Sequence, residues 1–448
     1  MNCKNKKVVK LINDLIDISH CGSEDEYRKK ANELYQSKSF VKDITQMFIG
    51  NADFRKLEFK PSDFTRDLIL NLDDNAEYGY TFIVDLEIPI DLYEKFKDYP
   101  MLPEHYIPKE GELFEYQKNL IKDKIGNAPK EGKLITTLHS KKDYVIDFRM
   151  LKECLRRGII LKSVNNYIRF KQKAWLKPYI DLNTRLRQEA KNDFEKDFYK
   201  LMNNSVYGKQ MENVRNKCDV KILTSVESFL KQIDYETRTI LDEETILLAR
   251  KKQTVKLNKP IYGGFVVLEI SKLLMYQFYY NVLKRKYGDK IRLLGTDTDS
   301  LIVYIETDDV YKDIREDIVY YDTSDYKIDW MPQKNKKAPG LFKDEYLGIP
   351  IREWVGLRSK MYAFRNDIKE RKVCKGIKKS NIENMKFEMY KNCLVESKPT
   401  REKVYSILSK QHHLYTVELD KIALSPYDDK RYLVDHINTL PYGYQLNI

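Results

Sequence analysis

Six residues, Gly295-Thr296-Asp297-Thr298-Asp299-Ser300, lie between the apolar runs Ile291–Leu294 and Leu301–Ile305. Two short strand-type runs joined by Gly, Asp, Thr and Ser make this segment a β-hairpin with both acids at its tip. Apolar strands on either side place that tip at the apolar centre of a sheet rather than in a solvated turn, the bland alternative for such residues. Octahedral Mg²⁺ takes carboxylate oxygens and leaves its other positions to water and substrate phosphates. Asp297 and Asp299, at i and i+2, can therefore serve one ion or a two-ion site.

Upstream lies a second signature, Lys200-Leu-Met-Asn-Asn204-Ser205-Val-Tyr207-Gly208-Lys209, at the end of a helical pattern over Leu182–Tyr207. Phe194, Phe198, Leu201 and Met202 form a stripe expected to be buried, while Lys196, Lys200 and Asn204 follow one another at i+4 steps on another face. Lysine ammonium groups are compact charges for phosphate. The Asn204 amide and the Tyr207 ring can frame a sugar and base, and Gly208 lets another backbone approach or ends the helix. Taken alone, the helix reads as a solvated basic face with a glycine cap. Followed by the acidic hairpin, it reads as a grip for a metal-bound polyphosphate.

Lys360-Met361-Tyr362 falls in a strand-like stretch, Trp354–Phe364, which puts Lys360 and Tyr362 on one face. That pair can steady a nucleic-acid backbone near the metals, or be a solvated strand face. Lys375-Gly376-Ile377-Lys378-Lys379 is a flexible basic turn suited to phosphates, although charge clusters commonly face only water.

Lysine and arginine exceed aspartate and glutamate by 80 to 68, a net charge of +12 that suits a polyanionic partner. The 33 tyrosines add flat faces on which bases can stack. Cys3, Cys21, Cys154, Cys218, Cys374 and Cys393 are scattered without a CxxC pair, which argues against a zinc site or disulfide framework and fits a reducing compartment. No apolar run approaches a membrane span, and Asn13, Asp14 and Asp17 spoil the N-terminus as a signal peptide.

Helices are expected over 5–19 and 24–37, a buried-type strand over 80–84, and an extended connection over Pro89–Pro108. Short strands follow at Leu134–Thr137 and Tyr144–Ile146, then a helix Met150–Arg157 closed by Gly158, and a strand Ile159–Phe170. Cys218–Lys256 is mixed and charged, like an inserted subdomain, and Gly263–Lys286 is an apolar helix feeding the acidic hairpin. Interleaved elements of this kind suggest an α+β fold with helical insertions.

Lys200-x3-Asn204-Ser205-x-Tyr207-Gly208 resembles motif B of the family B DNA polymerases, Asp297-Thr-Asp299-Ser300 their motif C, and Lys360-x-Tyr362 their KxY motif. Val84-Asp-Leu-Glu87 with Asp98-Tyr-Pro100, Glu195-Lys-Asp-Phe198, Gly356-Leu-Arg-Ser-Lys360, and Leu424-Ser425 with Asp428-Asp-Lys-Arg-Tyr432 are similar to the protein-primed branch of Polinton/Maverick transposons, related viruses and linear plasmids. The likeness covers about residues 76 to 448. It implies a right-hand polymerase with an antiparallel palm sheet, helical fingers and a small thumb. The implied division is an N-terminal helical segment 1–75, palm and first insertion 76–174, fingers 175–210, second insertion 211–258, palm 259–365 and thumb 366–448.

The implied activity is template-directed DNA synthesis, a nucleotidyl transfer with two Mg²⁺ ions held by Asp297 and Asp299. Lys196, Lys200, Asn204 and Tyr207 would meet the deoxynucleoside triphosphate, with Arg185 or Arg187 adding a contact that the residues leave open between them. Gly208, Lys360, Tyr362, Lys375, Lys378 and Lys379 would meet the primer–template DNA. A terminal protein primer is the further implied partner, and an intracellular place, nuclear or at a viral replication site, the implied location.

Two departures accompany the resemblance. The family's N-terminal exonuclease has no room here, and motif A, Asp-x-x-Ser/Asn-Leu-Tyr, is not found ahead of the strand at 80–84. Its nearest echo, Lys30-Ala-Asn-Glu-Leu34-Tyr35, has lysine where the bridging aspartate belongs and reads as chance. By chemistry Asp85 is the best third carboxylate, whereas the resemblance makes it part of a structural strand. The chain is thus expected to be a truncated copy, with an inactive DNA-binding relic as the alternative. A metal-dependent nuclease on the same carboxylates fits less well, since it has no use for a triphosphate grip.

Overall fold

The computed structural model describes residues 60–232, 235–252, 254–410 and 413–444. The helices expected over 5–19 and 24–37, and Lys30 with them, lie outside the described residues. Tyr78–Glu87 (β1) is apolar on both faces, as a covered central strand requires. It lies between Lys141–Asp147 (β2) and Ile160–Lys171 (β3), antiparallel to both, with Thr81 opposite Asp147 on one side and Ile168 on the other. Both pairings shift register around Asp85, so β1 bulges there.

Between β2 and β3 runs Phe148–Arg156 (α1), begun by Asp147, whose side chain accepts the Arg149 amide hydrogen at 3.0 Å, and ended by Gly158 at φ +103°. Phe82, Val84 and Leu86 of β1 are buried with Phe148, Leu151 and Cys154 of α1, and Phe64 meets Phe82 edge-on at 4.9 Å. Burial of each large side chain contributes about 1.5–3 kcal/mol. The connection expected to be extended, Pro89–Pro108, instead holds a 3₁₀ turn Ile90–Leu92 and a short helix Tyr93–Phe96. Tyr93 and Phe96 are buried in the same core, so packing overrides the prolines at either end.

The single helix expected over Leu182–Tyr207 is two helices, Lys177–Glu189 (α2) and Asp193–Gln210 (α3). Asn192 is the reason. Its backbone is extended and its side-chain oxygen accepts the Glu195 amide hydrogen at 2.9 Å, which starts a new helix. Polar groups join the pair: Asn203 donates to the Thr184 hydroxyl at 3.3 Å, and the Tyr179 hydroxyl donates to the Met202 carbonyl at 3.3 Å. Three of the four side chains in the stripe expected to be buried face outward, with Phe194 80 % and Leu201 63 % exposed and Phe198 also exposed, while Met202 is half-buried. α3 packs through its other faces, on α2 and on Ile261–Gln277 (α4). That second packing is close, because a Cβ on Gly264 would lie 2.4 Å from the Met211 sulfur.

Asn192→Ala should therefore loosen α3 by about 1 kcal/mol. Hydrogen exchange should show it as faster exchange of the amides of 193–197, with β1 unchanged. Equal exchange in both proteins would mean that packing alone holds the helix start.

Cys218–Leu223 (β4), Thr237–Ile240 (β5) and Ile246–Lys251 (β6) form a separate sheet in the order β4–β6–β5. α4 continues through a π-helical turn, Phe278–Leu283, into the hairpin of Ile291–Asp297 (β7) and Ser300–Ile305 (β8). Leu293, Leu301, Val303 and Ile305 pack on the main core, yet among the described residues β7 and β8 pair only with each other.

The strand expected over Trp354–Phe364 is also a hairpin, Glu353–Arg358 (β9) and Met361–Arg365 (β10), extended by Glu370–Cys374 (β11). Phe387–Val395 (α5) covers this sheet, and a long hairpin follows, Thr400–Lys410 (β12) with His413–Leu424 (β13). Among the described residues no helix is long and apolar enough to cross a membrane.

Candidate functional site

The tip of β7–β8 is tighter than a sequence can show. The Asp299 amide donates to the Asp297 carbonyl at 2.7 Å, closing a three-residue γ-turn around Thr298 at φ +61°. A β-branched residue rarely adopts that conformation, and the strain costs about 1–3 kcal/mol, of the kind that clusters at functional sites. The tip does not lie at the apolar centre of a sheet, since Asp299 is exposed and the Asp297 side chain is 43 % exposed. Among the described residues no third strand pairs with this hairpin.

Lys360 does not share a strand face with Tyr362. It stands in the β9–β10 turn at φ +58°, and its ammonium lies 3.2 Å from Asp297 Oδ1. Tyr362, on β10, is half-buried and stacks on Phe364 at 6.4 Å. Trp354 on β9 brings the hairpins together by lying close to Gly295 of β7, 3.6 Å from where a Cβ would be. Gly356 makes room for that ring, because a Cβ there would meet it at 2.0 Å. The Lys375 amide donates to the Lys360 carbonyl at 3.0 Å, so the basic turn begins beside the same site. Gly376 sits at φ +101°, Lys378 donates to the Tyr405 carbonyl of β12, and Lys375 and Lys379 are exposed.

Asp85 stands on the central strand β1. At the β1 bulge its Oδ1 accepts the Asp143 amide and the Asn165 side-chain amide, each at 2.8 Å. Asn165 also donates to Asp143 Oδ1 at 2.8 Å, so the group joins all three strands of that sheet.

On α3, Lys200 and Asn204 are exposed, Lys196 pairs with Asp193 at 2.9 Å, and Tyr207 is 36 % exposed. Gly208 neither ends the helix, which runs on to Gln210, nor meets another backbone, since the space around its Cβ position is open. The segment after β8 reaches these helices: Lys337 Nζ donates to the Arg187 carbonyl, and the Gln188 side chain donates to the Lys336 carbonyl, both at 3.0 Å. Residues not singled out in the sequence, Trp354 and the run Lys334–Lys337, thus do the joining. The basic run was visible as a charge cluster, but nothing in its spacing points to α2.

Carboxylate oxygens suit Mg²⁺, and Asp297 with Asp299 offers them for one ion, although Lys360 already occupies one side of Asp297. Among the described residues no group of three His, Cys, Asp or Glu side chains forms a metal set.

No family model and no curated protein matches the chain. Among solved structures it is similar to phi29 DNA polymerase complexed with primer–template DNA and incoming nucleotide substrates, at 16 % identity and a TM-score of 0.42 over 79 % of this chain and 52 % of that one. It is also similar to the same polymerase in a post-translocation binary complex with primer–template DNA, at 16 % identity and a TM-score of 0.39 over 88 % and 67 %. The chain spans about half the length of the first of these structures.

Proposed function

We propose that this chain is a polymerase portion of a protein-primed family B DNA polymerase and acts on primer–template DNA with deoxynucleoside triphosphates. One observation carries the reading. Lys360 of the KxY-like segment reaches Asp297 of the motif C-like segment, joining at 3.2 Å two motifs that the sequence keeps far apart. In this reading Asp297 and Asp299 hold Mg²⁺, which when bound lends positive charge to the triphosphate. Lys196, Lys200 and Asn204 present a polar face to that triphosphate, and Tyr207 lies beneath the nascent base pair. Lys360 and Tyr362 stand at the primer end, with the turn from Lys375 to Lys379 along the duplex backbone. The hairpins form the palm, α2 and α3 the fingers, and the chain beyond β10 the thumb. A terminal protein primer and a nuclear or viral replication site belong to the same proposal.

A second reading, a catalytically silent DNA-binding relic, is favoured by Asp85. One oxygen of its carboxylate, Oδ1, already accepts two hydrogen bonds within the β1 sheet, which weakens it as a third metal ligand.

Both readings require DNA binding through the basic segments. Affinity for a primer–template duplex should fall steeply with salt. Replacing Lys375 or Lys379 with Gln should flatten the log–log slope by about 0.9 for each lysine that neutralises a phosphate. Fluorescence anisotropy over a salt series measures it. Affinity indifferent to salt, or a preference for RNA hairpins, would count against both readings.

A further inference from the structure

The segment between the acidic hairpin and β9 lies against the α2–α3 layer, although the proposed reading gives it no part. Asn335 anchors it, donating to the carbonyls of Ile318 at 3.1 Å and Tyr321 at 2.9 Å. The Lys337 amide donates to Asp322 Oδ2 at 2.7 Å, and both Asn335 (φ +62°) and Lys337 (φ +53°) hold left-handed backbone. These bonds hold the backbone of the loop and, with it, the side chain of Lys337.

That arrangement gathers like charges. Lys337 Nζ is spent on the Arg187 carbonyl, a neutral partner, while the Arg187 guanidinium keeps a buried Nε with no hydrogen-bond partner. The Lys337 pKa is lowered, first by burial and then by the positive field of Arg187, Lys336 and Lys196. Asp325 acts in the opposite sense, and its own carboxylate is paired with Lys343. Lys196 has Asp193 as its partner on the helix. Lys336 and Lys337 are bonded to the end of α2 beside Arg187, whose buried Nε has no hydrogen-bond partner, and with Lys196 within electrostatic reach they make a basic cluster suited to an anion of high charge density. The geometry also separates two arginines that the sequence leaves equivalent, because Arg187 is half-buried with its carbonyl bonded to Lys337, whereas Arg185 is exposed.

We infer that the loop from Lys334 to Gly340 is part of the triphosphate site, with Lys336 and Lys337 joining Arg187 and Lys196 in binding the terminal phosphates. This rests on the polymerase reading and extends it to residues that lie outside motifs B, C and KxY. A triphosphate is favoured over a duplex backbone because the loop is bonded to the end of α2, which packs on the helix that carries Lys196 and Lys200.

The test is titration calorimetry of the full chain with inorganic tripolyphosphate, a deoxynucleoside triphosphate and the matching monophosphate. Lys336→Gln and Lys337→Gln should each weaken both polyphosphates about tenfold and leave the monophosphate unchanged. Lys337→Arg, which keeps the charge, should restore most of the affinity. Lys336→Gln guards against misfolding, because its exposed side chain anchors nothing and only its carbonyl is bonded. Unchanged polyphosphate affinity in Lys336→Gln and Lys337→Gln, with Lys200→Ala still weakened, would remove the loop from the site and leave the polymerase reading standing. Absence of triphosphate binding by the parent chain would overturn both. Equal weakening of monophosphate and triphosphate would also refute the inference, since terminal phosphates would then not be what the loop touches.

Discussion

Asp297→Asn is expected to abolish saturable Mn²⁺ binding by this protein, and Asp299→Asn to do the same, with the fold intact in both. The reason is charge. The two carboxylates supply the anionic oxygens that a hard divalent ion requires, and an amide keeps the shape of aspartate without its charge. Stability should move by no more than about 1 kcal/mol, since Asp299 is exposed, Asp297 is 43 % exposed and the Asp297–Lys360 pair is a surface one. Lys360→Met provides a change in the other direction. Removing an ammonium 3.2 Å from Asp297 Oδ1 frees that oxygen for the metal. A pair of this exposure is worth about 0.2–1 kcal/mol, so Mn²⁺ should bind up to about fivefold more tightly. Electron paramagnetic resonance of free Mn²⁺ reads all three variants. An unaltered titration in the Asp297→Asn, Asp299→Asn double variant would remove the hairpin as a metal site.

Primer extension by the 448-residue chain is expected to be slow or nil even where primer–template DNA binds well. Two-ion nucleotidyl transfer requires a carboxylate shared between the ions, one ion activating the primer 3′ oxygen and the other steadying the leaving pyrophosphate. Asp297 and Asp299 have no such third partner among the described residues, and Asp85 is held by Asp143 and Asn165. Loss of one well-placed electrostatic group costs about a hundred- to a thousandfold in rate. Asp85→Asn should therefore leave residual extension unchanged, while a graft carrying a family-type Asp-x-x-Asn-Leu-Tyr strand should restore synthesis. Gel-resolved extension of a labelled primer, with the parent chain, Asp85→Asn and the graft side by side, gives the comparison. Robust synthesis by the parent chain that Asp85→Asn abolishes would make Asp85 the missing ligand.

Local order was legible where neighbours in the chain decide it. Alternating or continuous apolar runs specify β1, β3 and the acidic hairpin, because a strand's side-chain pattern is written into consecutive residues. Asp147 at one end and Gly158 at the other bound α1 through caps that act within a single turn. The order of the three motifs was legible for the same reason. Where an element could go either way, local chemistry still misled: Asn192 reads as an ordinary helix residue, yet it caps α3 and splits the expected long helix.

Which face an element buries is a matter for its neighbours, and there the sequence was silent. Phe194, Phe198 and Leu201 have the spacing of a core stripe but face outward, since α2 and α4 take the other sides of α3. Lys360 moved from a strand face to a turn because Trp354–Phe364 folds back on itself, a change that also brought its ammonium to Asp297. Asp85 and Asp297 look equivalent as carboxylates ending apolar strands, yet Oδ1 of one accepts amide hydrogens from both neighbouring strands and Oδ1 of the other faces a lysine. Composition and periodicity determined what kinds of group this protein carries and in what order. Long-range pairing, which depends on loop closure and on the shapes of distant side chains such as Trp354 against Gly356, decided which of those groups meet.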